Sequence, residues 1–325
     1  MFKKTFLVVS AFLILLSTFT FAAGKSDQSG TNAAAVKKIV IAVVPKSLNN
    51  PVFMESRTGA EDAAKELGNV EILYTGSPDP DSSAQVSIVE GLIAKKVNGI
   101  LIACNLAEAL QPVLDKAVSE GIVVATYDSD SQGSKRAFYI GSNNYDFGKV
   151  SAGYMNKILP NGGKVAILTG IVGIANLEER IKGFKEHINS NILLMPIQTG
   201  EDDIQKSVEV VNQFTAAHPE MNAWWFDGGW PFIANPSALT ELDKFVKRGG
   251  KVVSVDSLYP MLSYIENGMA EVLIGQNMYG CGYGGVKNIA NIINGGKAPA
   301  EMIWTDMEIV TKENVAKIKS GKKPW

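Results

Sequence analysis

The sequence contains few of the residues on which enzyme active sites and metal centres depend. It has two histidines, His187 and His218, and two cysteines, Cys104 and Cys281. Neither histidine has a metal-ligand partner at helical spacing, and two cysteines are too few for a thiolate cage or a disulfide framework. The nucleophile-elbow motif G-x-S-x-G and the phosphate-binding Walker A loop are absent as well. The sequence therefore predicts neither a metal site nor a bound cofactor.

An excess of charge of one sign is also lacking. Lys and Arg total 31, Asp and Glu total 33, and the formal net charge is -2. Such a balance provides no general field that would attract nucleic acid or an anionic membrane surface. Apolar residues, in contrast, make up 46% of the 325 residues, which is enough to bury a large core and excludes global disorder. At this length we expect two domains, with one large domain as the alternative.

The chain begins with a segment that is typical of export signals. Two lysines precede an apolar run over residues 6–16, which is short for a membrane span, and small residues follow it. We predict a cleaved signal peptide over residues 1–23, with an uncleaved N-terminal anchor as the alternative. Residues 24–37 are small and polar without periodicity, which predicts a flexible tether. The expected location is the periplasm or another extracytoplasmic compartment.

From residue 38 onward, short apolar runs rich in β-branched residues alternate with amphipathic stretches. Such runs are typical of strands buried on both faces, and strict β–α alternation predicts parallel sheets with right-handed crossovers. So many strands would make one open sheet unusually large, so we predict an α/β fold of two doubly wound, Rossmann-like lobes. The predicted strands are residues 39–44, 70–74, 99–103, 122–127, 164–169, 192–197, 223–226, 251–255, 271–276 and 302–310.

The order of these elements predicts where the chain crosses between the lobes. A strand runs into a polar, glycine-containing turn at residues 139–144, and a new β–α series follows it. Several crossings of this kind would form a multi-strand hinge. The predicted N-terminal lobe comprises residues 38–141 and 277–303, and the predicted C-terminal lobe comprises residues 142–276 and 304–325.

One stretch matches a dinucleotide-binding fingerprint. Residues 280–285, GCGYGG, have the spacing G-x-G-x-x-G, and Glu301 lies near the distance expected of a ribose-binding acid. However, the motif belongs to the penultimate β–α unit, and Met278 and Tyr279 separate it from its strand. Because small residues also let a helix pack closely on a sheet, we interpret these glycines as packing residues.

Polar side chains follow the predicted strands at their carboxyl ends, which is where open α/β sheets bind ligands. Sugar hydroxyls both donate and accept hydrogen bonds, so carboxylates, amides and cationic groups suit them, and an aromatic ring can stack on the apolar face of the sugar. The strand ends of both lobes offer this combination. The predicted ligand-binding residues are Lys46, Asn50, Phe53, Asp128, Asp130, Asn176, Arg180, Trp230, Asp256 and Gln276.

With these residues in place, the chain resembles the sugar-binding proteins of ABC importers, the ribose/galactose-type periplasmic binding family. Residues 41–53, IAVVPKSLNNPVF, look like the opening strand and the asparagine–proline turn of that family, and residues 91–103 look like its second helix and third strand. Shorter motifs follow in family order, among them residues 127–130, 179–184, 253–256 and 274–276. The resemblance implies two lobes that close on a sugar.

The resemblance also implies roles for individual residues. Asp128, Arg180, Asp256 and Gln276 match polar positions of the family, Asn50 and Phe53 match its N-lobe side, and Phe53 and Trp230 are candidates for ring stacking. Ser129 and Glu178 stand where ribose binders carry arginines, which argues against ribose itself.

The sequence thus predicts an exported, non-enzymatic binding protein that captures a monosaccharide-like ligand and delivers it to the membrane permease of an ABC importer. A sensory binding protein for a chemoreceptor or kinase and a secreted enzyme are alternatives. Within the binding class, Lys46 and residues 128–130 favour an autoinducer-2-like or other polyol ligand as the runner-up. LacI-type repressors share the core but begin with a helix-turn-helix, so we predict no nucleic-acid partner.

Overall fold

A computed structural model of the protein describes residues 38–322. The predicted signal peptide and tether lie outside the described residues. In chain order, the strands are β1 (Ile39–Val44), β2 (Val70–Tyr74), β3 (Gly99–Ile102), β4 (Val123–Tyr127), β5 (Phe138–Gly141), β6 (Gly163–Thr169), β7 (Ile192–Leu194), β8 (Gln198–Thr199), β9 (Ala223–Phe226), β10 (Lys251–Val255), β11 (Val272–Gln276), β12 (Met302–Trp304) and β13 (Met307–Val310). The α-helices are α1 (Val52–Leu67), α2 (Ser82–Ala94), α3 (Ala107–Ser119), α4 (Asn144–Ile158), α5 (Ala175–His187), α6 (Ile204–Ala217), α7 (Trp230–Ile233), α8 (Thr240–Lys247), α9 (Leu262–Glu266), α10 (Met278–Ile293) and α11 (Val315–Gly321).

These strands form two sheets. The first has the order β12-β5-β4-β3-β1-β2, and the second has the order β13-β11-β10-β9-β6-β7, with β8 beside β6. All pairings are parallel except that of the edge strand β13, which runs antiparallel to β11. The predicted class of two doubly wound α/β lobes is therefore confirmed.

Each sheet is buried on both faces, which explains why the strands are nearly continuous in apolar residues. In the second sheet, the neighbours Trp224 and Trp225 of β9 are both fully buried and point to opposite faces. Trp225 stacks on Phe184 of α5 with ring centroids 4.0 Å apart. On the other face, Trp224 Nε1 donates to Thr215 Oγ1 of α6 at 2.9 Å.

Two predicted strands are interrupted, and each interruption has a physical reason. The strand predicted over residues 192–197 divides into β7 and β8, because Pro196 between them has no N–H to donate to the ladder. The strand predicted over residues 302–310 divides because its halves pair in different sheets, β12 beside β5 and β13 beside β11.

The chain crosses between the sheets at three places. It leaves the first sheet after β5, returns to it after β11 through α10, and leaves again between β12 and β13. The connections are short: α4 begins at Asn144, α10 at Met278 and β13 at Met307. The residue ranges that the sequence analysis assigned to each lobe remain a prediction.

The glycines of residues 280–285 pack α10 against its neighbours. A Cβ built on Gly282 would lie 1.8 Å from the backbone oxygen of Ser56 in α1, and one on Gly285 would lie 2.6 Å from the Leu101 side chain in β3. A Cβ on Gly59 of α1 would in turn lie 2.1 Å from the Tyr279 carbonyl oxygen. The G-x-G-x-x-G spacing therefore serves close packing of α10 on α1 and on the first sheet.

Cys104 and Cys281 are free and buried. Burial raises the pKa of both thiols, that of Cys281 to about 12, so neither is a reactive thiolate at neutral pH. Within residues 38–322, the helices are all too short or too polar to cross a membrane.

Candidate ligand-binding site

The carboxyl ends of strands from both sheets meet around one small cavity of about 40 Å³. Of the ten residues predicted to bind a ligand, nine line it. They are Lys46, Asn50, Phe53, Asp128, Asn176, Arg180, Trp230, Asp256 and Gln276. The structure thus brings together residues that are far apart in the sequence, from Lys46 to Gln276.

Lys46 links the two lobes across the cavity. It follows β1 by two residues, and its side chain is only 8% exposed. Its Nζ lies 3.0 Å from Asp128 Oδ2, in the same lobe, and donates to Asn176 Oδ1, at the start of α5, at 2.9 Å. A buried ammonium of this kind needs an opposite charge, and Asp128 supplies it.

Two buried amides hold the loop that carries Lys46. Gln85 Nε2 donates to the Pro45 and Ala103 carbonyl oxygens, and its Oε1 accepts from the Asn105 N–H at 2.9 Å. Asn105 Nδ2 donates to the Lys46 carbonyl oxygen at 3.1 Å. The loop is therefore fixed from behind by α2 and by the end of β3.

Asp128 and Asp256 occupy matching positions at the ends of β4 and β10. Both backbones are left-handed, with φ of 57° and 70°. Aspartate tolerates this conformation better than most residues, and each occurrence marks a sharp turn out of its strand. The Asp256 carboxylate accepts from the Gly229 N–H at 3.0 Å and from Gln276 Nε2 at 2.8 Å.

Arg180 of α5 is 2% exposed and is the centre of the hydrogen bonds on the C-lobe side. Its Nε donates to Asn144 Oδ1 at 2.9 Å, its Nη1 to the Asp227 carbonyl oxygen at 3.1 Å and its Nη2 to Gln276 Oε1 at 2.7 Å. Its guanidinium also lies 5.1 Å above the centre of the Phe147 ring. Since the Gln276 amide then donates to Asp256, Arg180 and Asp256 are connected through one neutral side chain.

Asp227 lies behind this network, directly after β9, and is fully buried. Its Oδ2 accepts from Thr169 Oγ1 at 2.9 Å, and its Oδ1 has no hydrogen-bond partner. Burial raises the pKa of this carboxyl well above its usual range, although the charge of Arg180 and the Thr169 bond lower it. The protonated form of Asp227 is therefore favoured.

Two aromatic rings belong to the cavity wall. Phe53, at the start of α1, is 3% exposed and meets the Tyr127 ring edge to face at 6.2 Å. Trp230 begins α7 and is 6% exposed. Its ring lies so close to Gly228 that a Cβ there would be 2.4 Å from Trp230 Cη2. The two rings come from different lobes.

Asp130 lies away from this cavity. Its carboxylate binds Arg136 through two hydrogen bonds of 2.5 and 2.6 Å and accepts from Thr126 Oγ1 at 2.5 Å. It faces a separate groove of about 300 Å³, which Glu179 and Trp304 also line. The strand-end position of Asp130 resembles that of Asp128, but the turn after β4 directs Asp130 towards Arg136.

Asn144 and Asp202 are two polar residues at or beside the site that the sequence analysis did not select. Asn144 accepts the Arg180 Nε bond, and Asp202, which follows β8, lines the cavity. Burial raises the pKa of Asp202, whereas the positive charge of Lys46 lowers it. Asp202 follows a two-residue strand that the periodicity of the sequence does not separate from β7. Its only sequence signal is the acidic run before α6.

Comparisons with known proteins agree with this architecture. The profile of the family described as "Periplasmic binding protein domain" matches residues 41–297. The ribose import binding protein RbsB of Escherichia coli K12 is 26% identical over 299 residues, which is 92% of this chain and 98% of that protein. RbsB of Bacillus subtilis 168 is 29% identical over 193 residues, 59% of this chain and 63% of that protein, so this match spans less than two thirds of the relative.

A solved structure shares the fold as well. The ABC transporter solute binding protein from Burkholderia graminis C4D1M, in complex with D-arabinose, is 33% identical with a TM-score of 0.81. The match covers 86% of this chain and 96% of that one. The family profile matches well over half of the sequence, and the two-lobed fold has its cavity at the facing strand ends. The chain belongs to the periplasmic binding protein family.

Proposed function

We propose that the protein is an exported solute-binding protein that captures a monosaccharide-like ligand between its lobes and delivers it to the permease of an ABC importer. The observation that carries this proposal is the convergence of polar and aromatic side chains from both lobes on one cavity. The relatives named for ribose import and the neighbour titled with D-arabinose support a sugar as the ligand.

The chemistry of the cavity suits a polyhydroxylated ring. Asp128 and Asp256 can accept hydrogen bonds from hydroxyls, Lys46 and Arg180 can donate, and Asn176 can do both. Phe53 and Trp230 offer ring faces to the apolar CH groups of a sugar.

The size of the cavity supports a closing mechanism. About 40 Å³ is far below the roughly 300–1,000 Å³ of a typical small-molecule site. A sugar would therefore enter with the lobes further apart, and contacts to both lobes would then favour closure. On entry, the bond between Lys46 and Asn176 would be replaced by bonds to the ligand.

A thermal-shift screen of the full chain with pentoses, hexoses and deoxyhexoses tests the proposal. A sugar present at 100 times its dissociation constant should stabilise the protein by about 2.7 kcal/mol. Asp256→Ala should then weaken calorimetric binding by about 1.5–3 kcal/mol, because a charge-assisted hydrogen bond is lost. Asp243→Ala on α8, which removes an exposed carboxylate paired with Lys247, is the matched control and should leave affinity unchanged. No shift with any sugar would contradict the proposal.

The second candidate is an autoinducer-2-like or other polyol ligand. Lys46 favours it, since its ammonium lies at the cavity beside Asp128 and can donate to clustered hydroxyls. A thermal shift with furanosyl polyols but not with pyranose sugars would support this candidate over the first. A sensory role, with a chemoreceptor or kinase as partner, uses the same closure. Stimulation of the ATPase of the cognate permease by the loaded protein, in proteoliposomes, would favour transport.

A further inference from the structure

Asp202 lies where the central cavity opens outward. It lines both that cavity and an outer groove of about 790 Å³, which Asn50 and Thr199 also line. Its backbone is left-handed, with φ of 58°, although it is not a glycine. Such a conformation is uncommon outside glycine and often marks a position with a specific role.

The Asp202 carboxyl is buried and incompletely paired. Its Oδ1 is out of contact with solvent and has no hydrogen-bond partner. Oδ1 packs against Gly170, where a Cβ would lie 1.7 Å from it. Glycine at position 170 therefore makes room for this carboxyl. An unpaired buried carboxylate is unfavourable for folding, because it loses its water without gaining a partner.

The other charged groups of the cavity have partners. Lys46 is 3.0 Å from Asp128, and the Gln276 amide connects Arg180 to Asp256. No ion pair within residues 38–322 includes Asp202. Asp202 has a backbone hydrogen bond from Ile171, but its Oδ1 has no partner. A free acceptor oxygen at the mouth of a binding cavity is suited to a donor that the ligand brings.

We propose that Asp202 is a specificity-determining residue that accepts a hydrogen bond from a donor on the outward-facing part of the ligand, either a hydroxyl or an ammonium group. This inference rests on the proposed function. The loop after β8 would then contact the end of the ligand that faces the outer groove, while Asp128 and Asp256 would bind the end that faces the strands. Proteins retain such destabilising groups where binding requires them.

The first test compares Asp202→Asn with Asp203→Asn by calorimetry on the full chain. Both variants remove one carboxylate from the same loop. Asp203 is exposed and caps α6 by accepting from the Lys206 N–H, which asparagine can do equally well. The probes are D-glucose and D-glucosamine together with D-ribose, D-allose and D-arabinose. Asp202→Asn should bind at least about tenfold more weakly, or about 1.4 kcal/mol, and Asp203→Asn should match the wild type.

The two sugar classes identify the donor. A wild-type preference for D-glucosamine that Asp202→Asn abolishes would indicate an ammonium, and weaker binding of the neutral sugars would indicate a hydroxyl. Unchanged affinity for every probe that the wild type binds would overturn the role of Asp202.

The second test needs no ligand. Asp202→Asn should raise the thermal unfolding midpoint of the ligand-free protein, because it removes a buried carboxylate charge whose Oδ1 has no partner. A structural role for Asp202 would instead lower the midpoint, and a lower or unchanged midpoint would overturn the inference. If the wild type bound no sugar or amino sugar at all, the proposed function would be contradicted, and this midpoint would decide the role of Asp202 separately.

Discussion

The two lobes share one plan but differ in how they balance charge. The orders β5-β4-β3-β1-β2 and β11-β10-β9-β6-β7 correspond strand for strand. Asp128 follows β4 and Asp256 follows the corresponding strand β10, and both aspartates have a left-handed backbone. After β3, however, the N-lobe has Ala103, whereas after the corresponding strand β9 the C-lobe has Asp227.

The difference concerns the partners of these acids. Asp128 has a cation, Lys46, at 3.0 Å, whereas Asp256 accepts only from the neutral Gln276 amide and the Gly229 N–H. The C-lobe arginine, Arg180, directs its donors to amide and carbonyl oxygens. The N-lobe thus pairs Asp128 with a cation of its own, while the C-lobe leaves the Asp256 carboxylate without a cation.

The largest effect on this comparison should come from Lys46→Met. Removing one partner of a buried ion pair leaves the other charge uncompensated, so we expect a loss of about 3–5 kcal/mol in the free energy of unfolding. Asp256→Asn should lose only about 1 kcal/mol, since its partners are neutral. Urea unfolding measures both, and the double variant Lys46→Met/Asp128→Asn should recover much of the loss. Equal losses from the two single variants would contradict the contrast between the lobes.

A smaller effect on stability should come from a feature that the lobes share, a glycine at a close helix–helix contact. In the N-lobe, Gly282 of α10 lies against the Ser56 backbone of α1. In the C-lobe, a Cβ on Gly148 of α4 would lie 1.9 Å from the Arg180 carbonyl oxygen of α5. Gly282→Ala and Gly148→Ala should each lose about 1–3 kcal/mol, because neither helix pair can move apart freely.

The matched control for these glycines is Gly91→Ala in α2. A Cβ on Gly91 would meet nothing within 4 Å. This substitution should therefore stabilise the protein by about 0.5–1 kcal/mol, through the better helix propensity of alanine. If Gly148→Ala behaved like Gly91→Ala in urea unfolding, the close helix contact in the C-lobe would be disproved.

The smallest effect is the pH dependence that Asp227 of the C-lobe contributes. Burial raises the pKa of Asp227, with Asp202 and Glu178 raising it further and Arg180 lowering it. The folded protein therefore holds a proton that the unfolded chain releases near the ordinary carboxyl pKa of about 4. Stability from this group is complete below that value and is lost as the pH rises through the raised pKa. Urea midpoints measured between about pH 4 and pH 8 should fall less steeply for Asp227→Asn than for the wild type. Parallel curves would contradict the proton held by Asp227.

Most of the cavity could be predicted from the sequence, because the carboxyl ends of parallel strands meet at one edge of a sheet. Lys46, Asp128 and Asp256 follow strands there, Arg180 lies within α5, and their types suit a polar ligand. Asp130 could not be placed in this way. It is two residues from Asp128 in sequence, but the turn between them sends the two carboxylates to different partners.

Asp202 is the opposite case, a residue that lines the cavity but was not predicted from the sequence. Its strand, β8, has two residues and follows a proline, so hydropathy periodicity does not detect it. The role that we propose for Asp202 rests on an oxygen without a partner and on the space beside Gly170. Both are properties of distances between segments far apart in the chain.

Local patterns in the sequence are enough to predict the alternation of strands and helices, the division into two lobes and the polar character of the strand ends. These follow from local periodicity and from the residue types at each turn. Which acids have a partner depends on the packing of segments that are far apart in the chain. Lys46 pairs with the distant Asp128, while Asp202 Oδ1 has no hydrogen-bond partner. Electrostatic and hydrogen-bond energies depend on distance and burial in space, which a linear pattern of residue types does not contain.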